Sequence, residues 1–295
     1  MTHRLLASTL LALLVSAPAA RAEEGMWTFD NFPTGRVQKT YGFSPDPAWL
    51  DHVRLSSVRL ALGCSGSFVS PDGLVMTNHH CALRCVQDLS TSQQDLNANG
   101  FYARTQAEER TCPRMEINQL VGMQDVTARV QGATKGLSGA EFNRAQKAEF
   151  ARIEKACQTS DQLRCEVVTL YHGGRYQLYT YRRWKKDVRL VFAPEESIAF
   201  FGGDPDNFNF PRYDLDVSFL RVYEDGKPLK TPEYFRWSEG GPRESELTFV
   251  SGNPGHTSRL LTVAQLVALR DDFIPVKLQR LAQLRGWTSQ FAERS

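Results

Sequence analysis

The sequence predicts a mainly β protein, a barrel or sandwich, with a helical segment at its C-terminal end. Short strand-like runs recur from Val58 to Ser251, separated by turn-forming residues. They do not alternate with long helices, as a parallel sheet requires. Beyond residue 260 the apolar spacing lengthens to that of a helix.

Residues 1–22 read as a secretory signal peptide. Arg4 precedes an apolar run from Leu5 to Val15, and Ala20-Arg21-Ala22 offers an A-x-A cleavage site. That run is too short to span a bilayer, and no other stretch is long and apolar enough. Residues 23–57 form an aromatic, Pro-rich arm with Trp27, Phe29, Phe32 and Trp49, read as irregular. The β domain is assigned to 58–258. VRLAL (58–62) and GSFVS (66–70) are strands, Ser70-Pro71-Asp72-Gly73 is a turn, and GLVMT (73–77) is the returning hairpin arm. Residues 86–113 read as polar and irregular, and QLVGMQDVTARV (119–130) as a strand. A helix is expected over 138–156, opened by a capping box of Ser138 and Glu141. Strands return at 165–171, 176–181, 187–193, 215–223 and 247–251. Residues 259–295 read as the start of a helical domain cut short, interrupted at Pro275.

The chain has 35 basic and 33 acidic residues; removing Arg4 and Arg21 with the leader leaves 33 of each. A neutral chain without a basic patch excludes a nucleic-acid partner. Six cysteines, at 64, 81, 85, 112, 157 and 165, all follow the leader, and an even count in an exported chain favours disulfides. Proximity suggests pairing Cys157 with Cys165, which flank a short polar turn.

Three clusters could do chemistry. Thr77-Asn78-His79-His80-Cys81 lies where a hairpin strand leaves the sheet, and histidine is the usual general base near neutral pH. Phe200 to Arg212 mixes glycines, acids, an amide and aromatics, a composition suited to a pocket, and Asp216 follows at the head of an apolar strand. A carboxylate there could orient a histidine and stabilise its imidazolium. Ser251-Gly252-Asn253-Pro254-Gly255-His256-Thr257 lacks the arrangement of a nucleophile turn and reads as a glycine turn between strands.

Three stretches, 63–81, 187–223 and 249–262, together resemble the dipeptidyl-peptidase 7/11 group, exported bacterial serine exopeptidases. The resemblance runs from about Glu24 to the end of the chain. It implies a chymotrypsin-like double β-barrel with an added helical domain, the first barrel being the one present. His80 then matches the general base and Asp216 the triad aspartate. Asn207 matches the residue that binds the free N-terminal amine, with Phe208 where relatives usually carry tryptophan. Cys64–Cys81 and Cys157–Cys165 match family disulfides, leaving Cys85 and Cys112 to pair by elimination. Oligopeptides with a free N-terminal amine are the implied substrates, no cofactor is implied, and a homodimer is open to the full-length protein. The nucleophilic serine, the oxyanion hole and the pocket for the penultimate side chain lie downstream in the family, so this segment alone is expected to be inactive.

Two other readings fit parts of the sequence. One is a periplasmic peptide-binding remnant that retains Asn207 and cleaves nothing. The other is a metal site from His79, His80, Cys81 and Cys85, disfavoured because adjacent ligands suit a tetrahedral ion poorly and export favours oxidised cysteines.

Overall fold

Residues 26–61, 63–200, 213–255 and 261–294 are described by the computed structural model of the chain. The leader (1–22) and the site residues Asn207 and Phe208 lie outside them. Within the arm, two helices replace the expected irregular chain: α1 (Thr34–Tyr41) and α2 (Pro47–Ser56). Asp46 accepts the Trp49 N–H at 2.7 Å and Pro47 opens α2, so an N-cap and an N1 proline start a helix where Pro-rich composition suggested none.

A meander follows: β1 (Ser57–Leu60), β2 (Ser65–Phe68) and β3 (Leu74–Thr77). Alternate residues point inward, and Val58, Leu60, Phe68 and Val75 are buried. Gly73, in the turn before β3, has φ 68°, and a Cβ there would lie 2.9 Å from the Val222 carbonyl oxygen. The region expected to be irregular is structured. It holds α3 (His79–Leu89), α4 (Leu96–Asn99) and the short strands β4 (Phe101–Tyr102) and β5 (Arg110–Thr111). Its polar residues cover the outer face of α3, while Ala82, Cys85 and Val86 face the core.

β6 (Ile117–Asp125) ends earlier than the sequence suggested, because Asp125 accepts the Thr127 N–H at 2.8 Å and starts α5 (Thr127–Thr134). The expected long helix is α6 (Gly139–Cys157). Ser138 is its N-cap but makes no side-chain cap hydrogen bond, so the expected capping box is absent. Then come β7 (Leu163–Leu170), β8 (Arg175–Trp184), β9 (Val188–Ala193), α7 (Glu196–Ala199), β10 (Ser218–Glu224) and β11 (Lys227–Pro228). Residues 247–251 form no strand. Phe249 instead sits among Phe32, Phe43 and Trp49 of the arm, with ring centroids 5.1–6.0 Å away.

All pairings are antiparallel, and the sheet runs β4-β9-β10-β3-β2-β1-β6-β8-β7. The ring closes because one run of chain serves both ends. β5 pairs with β9, the Cys112 N–H donates to the Val188 carbonyl at 2.8 Å, and Ile117 of β6 then pairs with Leu60 of β1. The interior holds Val58, Leu60, Phe68, Val75, Ile117, Leu190, Leu220 and Val222, with α3 plugging one side through Ala82 and Val86. Fully buried side chains of this kind contribute roughly 1.5–3 kcal/mol each. β7 and β8 extend outside the ring, and α5 and α6 close over them around a second core of Val126, Val130, Ile153, Val167, Tyr176 and Leu178.

The chain divides into two compact units, Met1–Gly252 and Asn253–Ser295. The second unit is α8 (Val263–Ala268), a π-helical turn at Leu269–Phe273 and α9 (Ile274–Arg294). The helix continues through Pro275 rather than breaking; the wide π turn directly before it lies where the proline lacks an N–H to donate. A true capping box opens α8, with Thr262 and Gln265 satisfying each other's backbone N–H groups. No helix among the described residues is long and apolar enough to cross a membrane.

Candidate active site

The pairing of β3 with β10 builds the site. Thr77 lies opposite Ser218, and Leu74 opposite Arg221. Two steps beyond Thr77–Ser218, the same register sets Asp216 against position 79, flanked by Asn78 and His80. The chain stops being a strand on both sides there. Asn78 turns it into α3, and the Val217 N–H closes a tight turn on the Leu215 carbonyl at 2.8 Å. The Leu215 N–H in turn donates to the Ile198 carbonyl of α7 at 2.8 Å, which ties the aspartate turn down.

Asp216 receives several donors. The His80 ring donates from Nδ1 to Oδ2 at 2.7 Å, and the His80 backbone N–H donates to Oδ1 at 3.0 Å. A carboxylate only accepts, so the ring proton sits on Nδ1 and leaves Nε2 as the basic atom. The Asn78 amide donates to the Asp216 carbonyl at 3.1 Å and to Oδ2 at 3.2 Å. The carboxylate is nearly buried, at 11% exposure, while the imidazole is 63% exposed. A sheltered acid behind an open ring is what a general base needs: orientation on one nitrogen and access on the other. Among the described residues no serine hydroxyl hydrogen-bonds to the His80 ring.

α3 is held from both ends of its apolar face. Cys64–Cys81 ties its first turn to the chain before β2, and Cys85–Cys112 ties its second turn to the closing run of the ring. Cys157–Cys165 joins α6 to β7, well away from His80 in the fold. All six cysteines are thus consumed. His80, Cys64 and Cys81 cluster closely, but Cys64 and Cys81 are joined to each other and Cys85 to Cys112, and a disulfide offers no thiolate ligand.

His79 is a different residue from its neighbour. It is 2% exposed, and its Nε2 has no hydrogen-bond partner among the described residues. Burial pushes its pKa below the usual histidine value, partly countered by Asp216 and Glu196 and by a hydrogen bond to the Pro194 carbonyl. It therefore sits in the fold as a neutral ring.

The structure brings together His80 and Asp216. The sequence reading missed Asn78 as a participant. Its side chain meets a residue 138 positions away, and only the β3–β10 register could have exposed it.

Comparison with known proteins places this arrangement. The family model described as Peptidase S46 matches residues 22–295. The chain is 34% identical over 263 residues to a dipeptidyl-peptidase 7 of Porphyromonas endodontalis, covering 82% of this chain and 32% of that protein. It is 32% identical to an Asp/Glu-specific dipeptidyl-peptidase of Shewanella putrefaciens, covering 91% and 38%. Among solved structures it resembles DPP11 of Porphyromonas endodontalis in complex with the dipeptide Arg-Glu. The TM-score is 0.62 at 29% identity, over 72% of this chain and 35% of that one. The barrel seen here is thus the chymotrypsin-like peptidase fold of those structures. The chain spans about a third to two fifths of the length of these relatives. With nearly its whole length matched by one model, the chain belongs to the peptidase S46 family.

Proposed function

We propose that the protein is an exported serine-type dipeptidyl-peptidase, and that this chain contributes the general base and its orienting acid. The observation that carries the reading is the 2.7 Å bond from His80 Nδ1 to a sheltered Asp216, with the far side of the ring open. In this reading a serine attacks the carbonyl carbon of the second peptide bond of an oligopeptide. His80 Nε2 takes the hydroxyl proton, and Asp216 stabilises the imidazolium that forms. The proton passes to the departing amine. Water then attacks the acyl-serine while giving a proton to His80, and His80 returns that proton to the serine oxygen as the dipeptide leaves. Asn207 binds the free α-amine with Phe208 as the adjacent wall, so that only the second bond reaches the nucleophile. The relatives are two to three times as long as this chain, which supports a reading in which the serine lies in a part of the protein that these 295 residues do not include.

The test is hydrolysis of fluorogenic dipeptidyl amides by the complete gene product. Free-amine substrates are expected to turn over and their N-acetylated forms to be refused. His80→Ala is expected to lower kcat by at least about 10⁴-fold, the usual cost of losing a triad member. Equal cleavage of the acetylated substrates, or an active His80→Ala enzyme, overturns the reading. Labelling of the 295-residue chain alone by a fluorophosphonate would remove the downstream serine from it.

A further inference from the structure

Asn78 occupies the N-cap of α3, with extended backbone at φ −73° and ψ 153°. An asparagine there ordinarily turns its side-chain oxygen back onto the N–H of the second or third helical residue. Asn78 makes no such bond. The N–H it forgoes, that of His80, is taken by Asp216 Oδ1 at 3.0 Å. Asp216 therefore caps α3 from across the sheet, and its charge sits at the positive end of that helix. The side chain of Asn78 has turned the other way. Both atoms it meets, the carbonyl and Oδ2 of Asp216, are acceptors, so its nitrogen faces them and donates to both. One amide spanning a residue's main chain and its carboxylate restricts rotation of that carboxylate about χ1.

We infer that Asn78 is a positioning residue, whose side-chain amide locks the Asp216 carboxylate in the orientation that receives the His80 ring. The inference rests on the triad role proposed for His80 and Asp216. With Asn78 in place, the carboxylate receives, among the described residues, two donors from His80 and one from Asn78. Each accepted bond spreads its negative charge, which moderates how strongly it holds a proton on His80. Among the described residues, His79 on α3 and Glu196 on α7 are the titratable groups that interact with this cluster.

Two variants of the complete enzyme separate this role from simple structural support. Asn78→Asp is isosteric and is itself a strong N-cap, so it can take the His80 N–H and keep α3 capped. It also sets a second negative charge against Asp216. The thermal midpoint of Asn78→Asp is expected to equal the wild type within experimental scatter. Its kcat falls about 10- to 100-fold, the size expected for losing a hydrogen bond to a charged group, with KM unchanged. The acid limb of the kcat/KM profile moves to higher pH, because added negative charge favours the imidazolium. Asn78→Ala loses the donors without adding charge and is expected to lower kcat by about tenfold with a smaller shift of the same sign. Wild-type kcat and an unmoved acid limb in Asn78→Asp overturn the inference. So does a kcat loss that only follows a lowered melting point in both variants. His80→Ala, measured alongside, reads the triad itself: if it stays active, the triad and the Asn78 role fall together. If it is inactive while both Asn78 variants behave as wild type, only the Asn78 role falls.

Discussion

Burying a histidine has a price at acid pH. His79 takes up a proton less readily in the fold than in the unfolded chain, where its value is the ordinary 6.5. As pH falls through that value the unfolded state binds a proton that the folded state refuses, so stability is lost on the acid side and is complete above it. His79→Asn keeps a donor close to the position of Nδ1, toward the Pro194 carbonyl, and removes the titration. The fall in the urea midpoint below about pH 6.5 is expected to flatten in His79→Asn while the midpoint at pH 8 changes little. A variant as acid-sensitive as the wild type would show that other groups set the slope. At this scale the sequence told His80 from His79 only through the family resemblance. Adjacent letters carry no burial, and it is the helical turn at Asn78 that sends one ring into the core and leaves the other at the surface.

The element that matters most is α3, a helix of 11 residues carrying His80 at its second position and two half-cystines on its inner face. Cys85–Cys112 closes a loop with a sequence separation of 27, and removing it as Cys85→Ala/Cys112→Ala is expected to cost about 3.5 kcal/mol in the chain-entropy model. Urea unfolding of the complete protein measures this, and a cost under about 1 kcal/mol would mean that packing alone holds α3 in place. The same element shows why parts of the sequence misled. Residues 86–113 look irregular because only every third or fourth side chain of α3 needs to be apolar, and α4, β4 and β5 are too short to show a period. α2 was hidden by proline, which breaks a helix in its middle yet opens one at its first residue. The Ser138 pattern promised a cap that is not made, whereas the Thr262–Gln265 box that is made went unnoticed inside an apolar run. Strands β1, β2, β3, β7, β8, β9 and β10 were legible because their side chains alternate or run apolar across a buried face.

At the scale of the molecule, the ring and the outlying β7–β8 layer have separate cores. Ile153 is 2% exposed in the outlying core and belongs to no part of the His80–Asp216 arrangement. Ile153→Ala is expected to cost about 2–5 kcal/mol of stability while kcat and KM of the folded enzyme stay at wild-type values. A tenfold loss of kcat would instead mean that the outlying layer props up the site. This division was not legible beforehand. Sequence patterns mark strands but not which strands pair, and closure depends on one continuous run reaching both β9 and β1.

The sequence separation of 136 between His80 and Asp216 has a consequence for the chain before it is folded. The two side chains meet only when β3 and β10 zip together, among the longest-range pairings of the ring. Closing so long a loop is entropically slow compared with forming α3 or the β2–β3 hairpin. A half-folded copy therefore holds a histidine with no acid behind it. In the proposed peptidase, topology acts as its own safety catch: the histidine gains its acid only once the barrel has closed.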